Sequence, residues 1–252
     1  MNPPPLTVVI PAFNEARRLT DNLLALLQYL QAYRPAAELI VVDDGSSDGT
    51  ARVAQEFFTQ HPNLTARVIR FPENHGKGHA VRAGLLGAQA PIALFSDADL
   101  STPITELPKI VEPIEAGKCD LVLGSRALDR SLIGHRQPWR REQGGKVFNA
   151  IVRLTTGLPF SDTQCGFKAF RMEAMRPIVE QAQIDGFGFD VELLFLAQRA
   201  GLRMLEVPVR WDHNEGSKVH IVRDSVRMFA EVVSLRTRVS QSAGSAAMTK
   251  TS

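Results

Sequence analysis

Ala93-Leu94-Phe95-Ser96-Asp97-Ala98-Asp99-Leu100-Ser101-Thr102-Pro103 is an apolar run that stops abruptly at two carboxylates separated by one small residue. A buried strand that delivers acids to its carboxyl end reads this way. Hard oxygen ligands at such a place suit Mg²⁺ or Mn²⁺, which take one or two carboxylates and complete their shell with substrate phosphates. Asp97 and Asp99 would then be half of a metal site, and a diphosphate the other half. Taken alone, the stretch also fits a helix start, because Ser101 caps well and Pro103 suits a first turn. The neighbouring turns decide between the two readings.

Upstream, Leu6 to Ile10 is a β-branched strand stopped by Pro11, and Asn14 or Glu15 can cap a helix whose leucines at 19, 23, 26, 27 and 30 share one face. A second strand, Glu38 to Val42, runs into the acidic glycine turn Asp43-Asp44-Gly45-Ser46-Ser47-Asp48-Gly49-Thr50. A helix to about Phe58, a strand from Ala66 to Phe71, the turn Gly76-Lys77-Gly78 and a helix through Leu86 lead to the strand ending at Asp97. A helix from Ile104 to Ala116 and a strand from Asp120 to Gly124 follow. This alternation over 6–124 predicts a parallel sheet with helices on both faces, and ligands bind beyond the carboxyl ends of such strands. A dinucleotide fold would place a glycine-rich fingerprint after the first strand. Pro11-Ala12-Phe13-Asn14-Glu15 stands there instead and disfavours a dehydrogenase.

The second half is less regular. Ser125 to Arg141 reads as a polar, arginine-rich mobile loop, followed by a helix from about Gly145 to Thr155 and a hairpin around Thr163 to Phe170. A helix from Asp190 to Ala200, a strand from Arg203 to Trp211 and an amphipathic helix from Val219 to Val239 complete it. One domain over 1–240 is expected, in two halves, 6–124 and a smaller 125–240, with a disordered tail at 241–252.

Composition narrows the classes. The net charge of +2 argues against a nucleic-acid binder driven by bulk electrostatics. Two cysteines argue against a disulfide scaffold and for a reducing, cytoplasmic setting. The six histidines lack metal-ligand spacing. The start, Met1-Asn2-Pro3-Pro4-Pro5, has no signal-peptide character, and no apolar run reaches the ~20 residues of a membrane span. The chain is expected to be soluble, or to lie on a membrane surface without crossing it.

The motifs Val9 to Glu15, Val41 to Thr50, Asn74 to Gly78 and Asp97-Ala98-Asp99 resemble those of the inverting family 2 glycosyltransferases of GT-A fold. The likeness continues through Gly124-Ser125-Arg126, Asp162 to Lys168, Phe189 to Leu194 and Gly216-Ser217-Lys218, and these later motifs look like the dolichyl-phosphate (polyprenyl-phosphate) glucose synthases. The resemblance implies a Rossmann-like, mostly parallel sheet and an Mg²⁺- or Mn²⁺-dependent transfer from a nucleotide sugar. It implies that Pro11, Ala12, Asn14, Glu15, Asp44, Gly76, Lys77, Asp97, Ala98 and Gln164 line the nucleotide-sugar site and that Asp99, with Asp97, binds the metal. In the related mannose synthases a glutamine stands where this chain has Ser101, and an arginine near His213 or Asn214. Both departures favour UDP-glucose over GDP-mannose as donor, with the mannose reading and a soluble or saccharide hydroxyl acceptor remaining open.

Charge argues for the acceptor side. Two unit charges ~4 Å apart repel by ~4 kcal/mol at an effective dielectric of 20, so a phosphate approaching a diphosphate needs cations beside it. Arg126, Arg141, Lys168 and Lys218, with Ser125, match family positions near acceptor or diphosphate, and the arginine fork suits phosphate oxygens. A polyprenyl phosphate is already ionised and needs no strong base. An alcohol acceptor would require Asp190 or Glu192 to take its proton. The last helix, with its arginines, can either lie in a membrane interface or pack on the sheet.

Overall fold

The computed structural model describes residues 5–134 and 139–212, together with Met228, Glu231, Val232 and Leu235. β1 (Leu6–Ala12), β2 (Glu38–Asp44) and β4 (Ile92–Ser96) are buried along their whole length, as strands covered by helices on both faces must be. With β3 (Thr65–Phe71), β5 (Leu121–Ser125), β6 (Phe167–Arg171) and β7 (Met204–Pro208) they form one sheet in the order β3-β2-β1-β4-β6-β5-β7. Every pairing is parallel except those of β6, which runs antiparallel between β4 and β5. β1 continues through Pro11 where a stop was expected. Its pairing with β4 ends at Val9 while that with β2 runs to Ala12, so Pro11 lies at an edge position that tolerates a residue without an N–H.

The helices divide by face. α1 (Ala16–Tyr33), α2 (Thr50–Gln60) and α4 (Leu107–Glu115) enclose one core with Val8, Ile10, Leu39, Val41 and Leu94. All five leucines assigned to the buried face of α1 are buried. α3 (Lys77–Gly87), α6 (Met172–Gln181), α7 (Phe189–Arg199) and the inner side of α5 (Trp139–Thr156) enclose the other core with Val9, Ile40, Val42 and Phe95. α3 lies close over β1, since a Cβ on Gly84 would fall 2.2 Å from Val9 Cγ1.

The second half departs from expectation at four places. No hairpin forms around Thr163 to Phe170, because β6 pairs with β4 (Lys168 opposite Phe95) and with β5 (Lys168 opposite Leu123), both distant in sequence. The expected loop from Ser125 begins as the last residue of β5 and contains a 3₁₀ turn at Arg130–Leu132, and α5 starts at Trp139, ahead of Gly145. α6 was not anticipated. In the expected terminal helix, Met228, Glu231, Val232 and Leu235 are helical, and Met228, Val232 and Leu235 are buried in the core with α3, α6 and α7. The rest of Val219 to Val239 and the tail fall outside the described residues. No described helix is long and apolar enough to cross a membrane.

Asp120 fastens the β7 side of the sheet. Its carboxylate accepts from Arg203 N, Nε and Nη2 at 3.0 to 3.1 Å and lies 3.6 Å from Arg171 Nε on β6. The Arg203 hydrogen bonds hold its carboxyl below the ordinary carboxylate range. A lowered native pKa contributes stability above the unfolded value of about 3.9 and loses it as pH falls through the native value. Asp120→Asn is therefore expected to lower stability at neutral pH and to flatten the fall in urea midpoint below about pH 4. An unchanged acid limb in the variant would contradict this role.

Candidate active site

The sheet order places the ends of β1, β2 and β4 side by side, and the acids of Asp97-Ala98-Asp99 follow β4 directly. Asp97 N donates to Gly166 O at 3.0 Å, and a Cβ on Gly166 would sit 2.0 Å from Asp97 Oδ2. Only glycine lets the β6 approach seat that carboxylate. Leu100 N then closes a turn onto Asp97 O at 3.1 Å with Leu100 at φ 48°, a left-handed conformation that costs a branched residue about 1 kcal/mol. Asn22 of α1 clamps the turn by donating to Ala98 O at 2.6 Å. Asp99 Oδ1 accepts from Ser101 N at 2.9 Å.

Two carboxylates in so small a turn disfavour each other's charge. Burial, then Asp97, push the Asp99 carboxyl above the ordinary range, and the Ser101 hydrogen bonds and Arg18 only partly oppose them. Lys77, at the start of α3, stands 2.5 Å from Asp97 Oδ1. Burial disfavours its ammonium, but Asp97 and then Asp190 outweigh this and hold it protonated. The donor set fits a divalent cation: two hard, mutually repelling carboxylates, with no cluster of three or more acid, histidine or cysteine ligands among the described residues. Such a set leaves the remaining coordination positions to substrate oxygens and water.

The β1 and β2 turns form the neighbouring wall. The first N–H groups of α1 are capped from the second turn: Glu15 N donates to Thr50 Oγ1 at 2.8 Å and Ala16 N to Asp48 Oδ2 at 3.1 Å. Asn14 N donates to Ser46 Oγ at 2.8 Å, and Asn14 Oδ1 accepts from Ser47 N at 2.9 Å. Glu15, besides providing the helix N-cap, pairs with Arg18. Pro11 and Ala12 are the buried end of β1. Asp44 accepts from Asn74 Nδ2, His75 N and Gly76 N at 2.8 to 3.1 Å, so its carboxylate shapes the turn ahead of Lys77. Gly45, at φ 71°, meets that turn so closely that a Cβ would lie 2.2 Å from Glu73 C. Asp43 is buried beside it, accepting from Ser46 N at 3.2 Å.

Behind the acids lies a layer of compensated charge. Phe95 is flanked by two ammonium groups, Lys77 Nζ 5.6 Å and Lys168 Nζ 5.4 Å from its centroid. Lys168, 1% exposed, donates to Asp190 Oδ1 and Cys165 O, both at 2.6 Å. Burial pushes the Asp190 carboxyl up, with Lys168 and Lys77 opposing. Lys168 thus meets Asp190 within the core rather than an open acceptor channel. Arg126 forks onto Asp162 at 2.6 and 2.8 Å, and Ser125 is buried beside it. Burial raises the Asp162 carboxyl, but Arg126 outweighs it and holds the net value low, while Arg126 itself is pushed up. Glu192 accepts from Gln183 N and Ile184 N and so shapes the turn between α6 and α7. Gln164 Nε2 donates towards Met228 Sδ at 3.0 Å.

The structure therefore gathers Asp97, Asp99, Lys77, Lys168 and Asp190 around Phe95, while Arg126 stands with Asp162 at the end of β5. The side chain of Arg141, and Lys218, are outside the described residues. Sequence reasoning overlooked Phe95, Asn22, Asp162 and Gly166 as supports of the site. The last two lie inside the Asp162 to Lys168 motif, which was the available signal.

A family model described as glycosyl transferase family 2 matches residues 7–179, including both acids and the turns that surround them. The chain belongs to this family. Among curated relatives, the dolichyl-phosphate beta-glucosyltransferase of Drosophila melanogaster is 38% identical over 85% of this chain and 69% of its own. That of Homo sapiens is 34% identical over 92% and 75%. Among solved structures, glucosyl-3-phosphoglycerate synthase from Mycobacterium tuberculosis superposes with a TM-score of 0.69 at 23% identity, over 92% of this chain and 80% of its own. Mannosyl-3-phosphoglycerate synthase from Rubrobacter xylanophilus does so with 0.68 at 19% identity, over 96% and 75%. The fold of this family 2 transferase is thus that of the GT-A enzymes.

Removing one partner of a buried ion pair strands the other charge, which costs about 3–5 kcal/mol. Lys168→Met is expected to lose about that much, and Lys168→Met with Asp190→Leu to recover a large part of it. Urea unfolding of the single and double variants measures the coupling. Strictly additive losses would contradict the pairing.

Proposed function

We propose that this transferase moves glucose from UDP-glucose to a polyprenyl phosphate with inversion at the anomeric carbon, in an Mg²⁺- or Mn²⁺-dependent reaction. The observation that carries the reading is the Asp97-Ala98-Asp99 turn at the end of β4, in a chain whose curated relatives are named for transfer to dolichyl phosphate. Pro11, Ala12, Asn14, Glu15, Asp44, Gly76 and Ala98 bound the nucleoside side, and Asp97 and Asp99 would hold the metal. Bound there, the cation would offset the charge of the departing diphosphate. An oxygen of the lipid phosphate attacks the anomeric carbon, the bond from that carbon to the diphosphate breaks, and UDP leaves with its electron pair. Arg126, beside Ser125 at the end of β5, would offset repulsion between the two phosphate groups, and Arg141 and Lys218, the further candidates for that part, have side chains outside the described residues.

The Lys168–Asp190 pair favours a phosphate acceptor over a hydroxyl. A carboxylate held at 2.6 Å by a buried lysine is poorly placed to receive a proton from solvent-borne substrate, and a phosphate has none that must be removed. Asp190 then acts by fixing Lys168 beneath Phe95. The donor is taken as UDP-glucose because Ser101 supplies no amide ligand where the mannose enzymes have glutamine; a solved GT-A neighbour at 22% identity carries Mn²⁺ and UDP-glucose.

With Mn²⁺, UDP-glucose and a short polyprenyl phosphate, UDP release is expected, and Asp99→Asn should lower kcat by about 10²–10³-fold. GDP-mannose and the matching polyprenol serve as comparisons. No UDP release, or equal turnover of the alcohol, would overturn the proposal.

A further inference from the structure

α5 carries apolar side chains on both sides. Its inner side buries Phe148, Val152 and Thr156, whereas Val147, Ala150 and Leu154 face outward, with Val147 60% and Leu154 82% exposed. Spacings of three, four and seven residues align those three in one stripe on the solvent side. Leu154 is the most exposed large apolar residue among those described, and no described residue covers it or Val147, two turns away on the same side.

Charge says what covers the stripe. α5 contains Arg140, Arg141, Lys146 and Arg153 against a single acid, Glu142. The exposed Arg153, next to Leu154 on the helix, borders the stripe. An apolar stripe on a helix with four basic residues and one acid is the pattern of a helix lying in an anionic membrane interface, aliphatic side chains down and cations at the headgroups. A soluble protein partner of the same shape would need a matching acidic groove, whereas a lipid surface supplies both components everywhere.

The position fits the reaction. Asn149 Oδ1, on the side of α5 towards the body, accepts from Thr163 Oγ1 at 3.1 Å, and Thr163 follows Asp162, the partner of Arg126. The helix is therefore tied to the loop whose Asp162 holds Arg126, the arginine proposed above to meet the acceptor phosphate. The expected terminal helix offers no such face at its described positions, because Met228, Val232 and Leu235 are buried. We infer that the outward stripe of α5, Val147, Ala150 and Leu154 with Arg153 beside it, is the surface by which this transferase lies on an anionic lipid bilayer. The choice of a lipid surface rests on the polyprenyl-phosphate reading.

The test is sedimentation of the full chain with phosphatidylcholine–phosphatidylglycerol vesicles. Val147→Ser with Leu154→Ser should reduce the vesicle-bound fraction constant by about tenfold, with turnover of a short, soluble polyprenyl phosphate retained. Leu24→Ser, an exposed apolar position on α1, should leave binding unchanged. Equal vesicle binding by the α5 variant and the parent, absence of binding by the parent, or an equal loss in the α1 control would overturn the inference. So would a parent that elutes as a dimer and an α5 variant that elutes as a monomer, because the stripe would then belong to a second copy. Vesicle binding that depends on α5 in a protein inactive towards the soluble acceptor would support the docking surface and count against the proposed reaction alone.

Discussion

Negative charge has to be concentrated in one place without forcing it apart, and the structure is organised by that requirement. Asp97, Asp99, Asp162 and Asp190 belong to this region, and unit charges a few ångströms apart repel by several kcal/mol even at an intermediate dielectric. Three of the four have a dedicated cation: Lys77 for Asp97, Arg126 for Asp162 and Lys168 for Asp190. Burial and then Asp97 push the Asp99 carboxyl up, with the Ser101 hydrogen bonds and Arg18 opposing.

The cations arrive from different parts of the chain, which explains the unusual sheet. Lys77 begins a helix of the first half, Lys168 lies on β6, and Arg126 follows β5. Both lysine ammonium groups lie over the Phe95 ring, whose π face attracts a cation. Glycine is required at position 166 because the β6 approach and the Asp97 carboxylate occupy the same space.

The parallel half of the fold was legible because each strand and its helix are local: alternating apolar runs, acidic turns and the leucine stripe of α1 all fall within a few residues of one another. β6 was not, since its partners lie some seventy residues upstream on β4 and some forty-five on β5, and a strand inserted antiparallel leaves no local mark. The burial of Lys168 was hidden for the same reason. A lone lysine in Phe-Lys-Ala-Phe reads as exposed until both faces of the strand are seen to be covered. Asp97 and Asp99 could be read because residue type and position alone identify them, whereas Asp44 could be placed but its partners could not, as these depend on how the Asn74 to Gly76 turn folds back.

The place of β6 also settles how the two halves of the chain relate. A segment drawn from the later half completes hydrogen bonding for β4, which belongs to the earlier one, so severing the chain after β5 would leave β4 with a bare edge. Neither portion is self-sufficient. The two halves of the chain therefore share one sheet, and a hinge between them would have to break the ladder that β6 forms with β4 and β5.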